Sequence, residues 1–266
     1  MSRFTDLHYL TADQYRDSTN LDARVEIHRR FSINPYGWFR WVFDKLEMLP
    51  QKTRILELGC GSGQIWRICV DRVPKGWVVT LSDLSQGMLD AAWRNLVVTG
   101  HAFKFEQIDA QSIPYDDETF DAVIANHMLY HIPDQPKAIA EIKRVLKPNG
   151  RLFATTVGDN HLKELNDWVE RATHWDYRPF GIDLFTLENG FSRLEPFFQR
   201  VNLYRYEDSL RITEIKPLMA YIRSGIRLSD LSESIFVELE RDLISQLKQE
   251  GALVVTKDSG LFEAIK

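Results

Sequence analysis

The run Arg54-Ile55-Leu56-Glu57-Leu58-Gly59-Cys60-Gly61-Ser62-Gly63 constrains the fold more than any other segment. An apolar stretch of alternating bulk reads as a buried strand. It stops where three glycines alternate with small residues, and Gln64–Val73 continues with a helical pattern. Glycine permits positive φ and lets a ligand approach the main chain. A helix start offers unpaired N–H donors and the positive end of a dipole. Strand, bend and helix together mark a nucleotide-cofactor site. Dinucleotide binding wants glycine at the first, third and sixth positions. Counted from Gly59, the sixth is Gln64, which argues against a nicotinamide cofactor. Glu57, just before the bend, is wrong for a phosphate-rich ligand and suits a cationic cofactor or the network that holds one.

The downstream segments repeat the alternation. Trp77–Asp83 reads as a second strand ending in an acid, roughly 20 residues past the bend, where an α/β sheet places a carboxylate for ribose hydroxyls. Phe103–Ile108 alternates as a third strand and ends at Asp109-Ala110. Phe120–Ala125 is a fourth, ending at Asn126-His127, and Arg151–Val157 follows the turn Pro148-Asn149-Gly150 as a fifth. Helical patterns over Gly63–Val73, Ser85–Val98 and Asp134–Leu146 separate them. Strands alternating with helices predict an α/β fold with a parallel, doubly wound sheet, whose ligands sit outside the carboxyl ends of the strands. Glu57, Asp83, Asp109 and Asn126 all fall at that rim.

The ordered set Glu57-Leu58-Gly59-Cys60-Gly61-Ser62-Gly63, Asp83-Leu84-Ser85, Asp109-Ala110, Phe120-Asp121-Ala122-Val123, Leu129-Tyr130-His131 and Leu146–Leu152 resembles the class I S-adenosylmethionine-dependent methyltransferases of the small-molecule type. The resemblance covers roughly residues 53–157 and matches no particular substrate subgroup. It implies a Rossmann-like, mostly parallel seven-stranded sheet with an N-terminal helical cap and a helical insertion before the last strand. It also implies transfer of a methyl group from S-adenosylmethionine to a small molecule, leaving S-adenosylhomocysteine. On that reading the main chain at Gly59, Cys60, Gly61 and Gly63 packs on the methionyl part, which Glu57 helps orient. Asp83 accepts the ribose hydroxyls, Leu84 lies against adenine, and Asp109 and the Ala110 N–H meet its amino edge. Asn126 and His127 line the sulfonium. The rivals are structural: Asp83 as the cap of the next helix, although Ser85 is available for that, and Asp109 as a turn residue.

Residues 1–50 read as a helical cap, with helices over Leu21–Phe31 and after Pro35, and a capping box at Thr11–Gln14. Tyr15, Arg29, Arg30, Asn34, Tyr36 and Trp38 are its candidate lid contacts; an arginine among them could fork the cofactor carboxylate. Residues 51–158 form the cofactor-binding core, and 159–266 complete it within a single structural domain. In that last part, helices are expected over His161–Thr173, Phe185–Phe197, Thr213–Arg223 and Ser229–Glu250, and strands over Arg200–Leu210, Leu253–Lys257 and Leu261–Ile265. The insertion, about 211–250, either shapes the acceptor pocket or covers a sheet edge.

Transfer needs a base only if the acceptor atom holds a proton, and His131 and His127 are the candidates because imidazole titrates near neutrality. They are four apart and would share a face if helical. A zinc reading of His-x-x-x-His lacks its glutamate and third ligand, so no metal is expected. Two cysteines are too few for a disulfide framework and suggest free thiols in a reducing cytoplasm. No apolar run reaches membrane-spanning length, and no secretory signal is recognisable. The net charge of −5 argues against nucleic acid as the partner. A monomer or homodimer fits equally. The alternatives are a cofactor-binding protein without transfer activity, serving regulation or scaffolding, and a methyltransferase acting on RNA or protein.

Overall fold

The computed structural model describes residues 3–174, 184–225 and 231–266. Its core is a seven-stranded sheet of β1 (Thr53–Leu58), β2 (Trp77–Asp83), β3 (Lys104–Gln107), β4 (Phe120–Asn126), β5 (Leu146–Val157), β6 (Arg200–Tyr206) and β9 (Ser259–Ile265). The spatial order is β3-β2-β1-β4-β5-β9-β6. The first five strands pair in parallel, and β9 runs antiparallel to both β5 and β6. Chain order reverses between β1 and β4, so those two strands flank the switch point where ligands of such sheets bind. The mostly parallel, doubly wound sheet expected from the sequence is present.

Strand alternation supplies both faces of the core. Leu56, Val123, Leu152 and Phe262 point to one face, against the helix α6 (Gln135–Val145). Ile55, Ile124, Phe153 and Leu261 point to the other, against α4 (Gln64–Ile68), α5 (Gln86–Leu96) and α3 (Trp38–Leu46). Ser85 caps α5 by accepting the Met88 N–H, and Asp134 caps α6 through Lys137.

The flanks depart from the sequence reading in four places. The single strand over Arg200–Leu210 is two: β6 stays in the main sheet, and β7 (Ser209–Ile212) leaves it. β7 pairs with β8 (Leu253–Thr256) in a separate two-stranded sheet, so of the two terminal strands expected from the sequence only Leu261–Ile265, within β9, joins the main sheet. Thr11–Gln14 opens no helix; it lies in a π turn over Leu10–Gln14 that follows the single turn α1 (Leu7–Tyr9). The helix expected over Phe185–Phe197, open to interruption at Gly190, is only α8 (Gly190–Leu194), which begins at that glycine. The first residues of the helix expected over Ser229–Glu250 lie outside the described residues; α10 runs Glu233–Glu250.

A second core joins the two flanks. Ile27 and Phe31 of α2 (Thr19–Phe31) pack with α7 (Lys163–Thr173), β7, α9 (Ile215–Arg223), α10 and β8. The N-terminal helix and the insertion thus form one body over the sheet's carboxyl end.

Phe153 is fully buried in the centre of β5. Phe153→Ala is expected to destabilise the protein by about 3–5 kcal/mol, read as a lower midpoint in chemical denaturation.

Candidate functional site

A cavity of about 720 Å³ opens at the switch point. Glu57, Gly59, Cys60, Gly61, Asp83, Leu84, Asp109, Ala110, Asn126 and His127 line its wall at the sheet rim. Gly63 does not. It sits at φ +73° as the turn into α4, where an added Cβ would stand 2.8 Å from Leu96 Cδ1, so its role is backbone geometry.

Asp83 shapes the bend. Its Oδ2 accepts the Gly61 N–H at 2.9 Å, and its Oδ1 accepts the Ser85 N–H at 2.9 Å. Each oxygen keeps a further acceptor position, as two ribose hydroxyls would require. Burial raises its pKa, against the backbone donors that lower it. Gly61 adopts φ +54° to present that N–H, and Leu21 of α2 covers it. Asp109 accepts the Gln111 N–H at 2.8 Å; it is a turn residue and also lines the cavity. Glu57 is buried and doubly held: Trp66 Nε1 donates to Oε2 at 2.5 Å and Asn126 Nδ2 to Oε1 at 2.9 Å. Burial pushes its pKa up to about 7, partly offset by those two bonds.

His127 and His131 do not share a helix face. His127 sits at φ +49°, with its N–H on Thr155 Oγ1, and only Leu129–His131 forms a short 3₁₀ turn. The His127 ring lies 5.2 Å from Trp38. His131 Nδ1 lies 2.9 Å from the Phe4 carbonyl, which can only accept, so Nδ1 carries the proton. Its Nε2 then accepts the Tyr15 hydroxyl at 3.0 Å. Burial lowers the pKa of both rings to about 4.

The lid candidates divide. Tyr15, Asn34, Tyr36 and Trp38 line the cavity. Arg29 lines it too, but its guanidinium forks Glu26 in solvent. Arg30 does not; it pairs with Glu214 on the outside. Helical phase turns these two outward while Leu21, Arg24, Val25 and His28 face in. None of these four was among the site candidates, nor were Tyr221, His161 and Lys257 from the far end of the chain. Lys257 forms a buried pair with Asp208, which also accepts Ser32 Oγ and the Asn34 N–H. Among the described residues, no cluster of His, Cys, Asp or Glu could hold a metal. No helix among them is long and apolar enough to cross a membrane.

Residues 56–154 match the methyltransferase domain family. Over those residues the chain is similar to methyltransferase domains. It is 29% identical over 140 residues to a ubiquinone biosynthesis O-methyltransferase of Pseudomonas entomophila, covering 52% of this chain and 58% of that protein. It is 32% identical over 165 residues to a malonyl-[acyl-carrier protein] O-methyltransferase of Halalkalibacterium halodurans, covering 56% and 60%. The chain thus spans less than two thirds of the relatives it matches. Among solved structures, phosphoethanolamine N-methyltransferase 2 of Haemonchus contortus superposes with a TM-score of 0.61 at 22% identity, over all of this chain and 60% of that one. The YcgJ protein of Bacillus subtilis superposes at 0.59 and 17%, over 85% and 97%. These structural likenesses concern the fold.

Burial lowers the pKa of His161 too, to about 3, and that of His28 well below its ordinary value, with Lys257 adding repulsion at both. An unfolded histidine titrates near 6.5. The folded values are depressed, so acid protonates the unfolded chain first, and stability is lost as pH falls. Glu57, raised to about 7, and Asp83, also raised, act oppositely but are outnumbered by the four histidines. The melting temperature is therefore expected to fall between pH 6.5 and about 4 in differential scanning calorimetry. A flat profile over that range would contradict the neutral, buried histidines.

Proposed function

We propose that the protein transfers a methyl group from S-adenosylmethionine to a small-molecule acceptor held beside it in the same cavity. The observation that carries this is continuity. One cavity runs from the rim residues Asp83 and Asp109 to an aromatic wall that includes Trp38, Tyr130 and Tyr221. Its volume of about 720 Å³ lies in the upper part of the range for small-molecule and cofactor sites. The O-methyltransferases among its relatives support the same reaction class. Two buried free cysteines support a cytoplasmic setting.

When bound, the cofactor supplies a sulfonium methyl group for in-line displacement by the acceptor. The chain's own work is to position and enclose. The open acceptor positions of Asp83 receive the ribose, Asp109 and Leu84 the adenine, and the bend at Gly59–Gly61 the methionyl part. Glu57 acts through Asn126, to which it is hydrogen bonded. Phe4, Leu10 and Tyr15 cover the cavity and exclude water. Orientation of this kind recovers about 7–11 kcal/mol of barrier. At a pKa of about 4, His127 and His131 are poorly matched to take a proton at neutral pH. His131 is moreover engaged by Tyr15. We assign both as positioning groups, His131 fastening the lid and His127 bracing Trp38.

Calorimetric titration with S-adenosylhomocysteine tests the reading. The wild type is expected to bind, and Asp83→Ala to bind about tenfold more weakly or worse, since a hydrogen bond to a charged acceptor is worth about 1.5–3 kcal/mol. No heat with the wild type sinks the assignment. Binding without turnover on any small acceptor would favour the non-transferring alternative.

A further inference from the structure

Arg24 is a partly buried cation of the cavity lining that no carboxylate among the described residues neutralises, unlike Arg40 and Arg67, which line the cavity from the exposed surface. Arg24 lies on the inner face of α2 and lines the cavity with Leu21, Val25 and His28. Its Nε donates to Ser224 Oγ at 3.3 Å, one Nη to the Tyr15 hydroxyl at 3.1 Å, and the other to the Ser224 carbonyl at 2.5 Å. All three partners are uncharged. Among the described residues no carboxylate pairs with it. Ser224 ends α9, so the negative end of that helix offsets part of the charge, at most about half. A guanidinium has one N–H at Nε and two at each Nη. Each Nη spends one, and each keeps one.

The surroundings offer hydrogen bonds but no negative charge. Burial raises the pKa of Tyr130 and Tyr221, so both stay protonated donors beside Arg24. His28, His131 and His161 are held neutral by burial. Lys257 is matched by Asp208. An unpaired charge facing a desolvated space is costly until an anion meets it.

Resting on the methyltransferase reading above, we infer that the acceptor carries an oxyanion, a carboxylate or a phosphate monoester, which Arg24 receives through its two remaining N–H groups. Tyr221 and Ser224 set the place. They belong to the insertion, which contributes nothing to the bend or the rim acids, so the anion belongs to the acceptor rather than to the cofactor. Such a planar fork is the geometry a guanidinium recognises best.

The test uses the full chain saturated with S-adenosylhomocysteine, at pH 7.5 and fixed salt. Benzoate, phenyl phosphate and neutral benzamide are titrated in turn, read by calorimetry and by the fluorescence of Trp38 and its neighbours. At least one anion is expected to bind about tenfold or more tightly than benzamide, and the stronger arm identifies the headgroup. Arg24→Gln should erase that gap while leaving S-adenosylhomocysteine affinity within about twofold. Arg24→Lys, which keeps the charge, should retain a reduced gap and serves should the glutamine variant misfold. Three results overturn the inference: no preference for either anion in the wild type, a preference that survives Arg24→Gln, or a loss of cofactor-product affinity in Arg24→Gln. The last would place the work of Arg24 on the cofactor side, at its carboxylate or through the Tyr15 bond that fastens the first turns of the chain. Wild-type protein that fails to bind S-adenosylhomocysteine at all is a different failure, that of the methyltransferase reading itself.

Discussion

The hydrogen bond between the Asp83 carboxylate and the Gly61 N–H fixes everything else at the site. β1 and β2 lie in register, with Leu58 opposite Ser82, and the ladder is extended by the Cys60 N–H on the Ser82 carbonyl. The next residue of β2 is therefore placed beside the bend that follows β1. A carboxylate there is desolvated and must find donors. It finds one on the bend and one at the start of α5. The left-handed conformation of Gly61 is what turns the donor toward it. One acid thus sets the shape of the bend and the start of the following helix, and still presents lone pairs to the cavity.

The same logic of buried polar groups joins the flanks to the sheet. Asp208 lies at the turn between β6 and β7 and gathers Lys257, Ser32 and the Asn34 main chain. Three distant segments meet on one carboxylate. A buried pair of this kind adds little net stability against an apolar substitute, but breaking it leaves a stranded charge and costs several kcal/mol. Its effect is on arrangement: it holds the two-stranded sheet and the segment leading to Trp38 at one edge of the cavity. On the other edge, a chain of bonds runs from Arg24 through Tyr15 and His131 to the Phe4 carbonyl, fastening the first turns of the chain over the site.

The central fold was legible because its signals are local. Strand alternation, the glycine bend and the acids at strand ends repeat every few tens of residues, and each is encoded within a short window. The small β7–β8 sheet was not legible, since its strands are some forty residues apart in sequence and four residues long, and the same apolar runs fit a main-sheet strand equally well. His127 and His131 misled for a related reason. Their spacing suits a helix, but the chain turns left-handed at His127 and brings the two rings to different partners. The outward turn of Arg29 and Arg30 and the inward turn of Arg24 were available from helical phase, had the face of α2 that buries Ile27 and Phe31 been used to set it.

The two walls of the cavity differ in how they are written into the chain. The sheet-rim wall, proposed for the cofactor, comes almost entirely from residues 57–131, and the family match, 56–154, contains it. The facing wall is assembled from α2, α7, α9 and the turn before β9, which lie outside that match. Similarity to other methyltransferases therefore constrains the methyl donor and leaves the acceptor open, because the aligned segment stops before the side chains that would touch it. The unaligned wall carries neutral imidazoles, protonated phenols and a guanidinium. On the inference drawn for Arg24, such a wall discriminates by charge at one point and by aromatic contact elsewhere, and the residues proposed to hold the donor lie on the opposite wall.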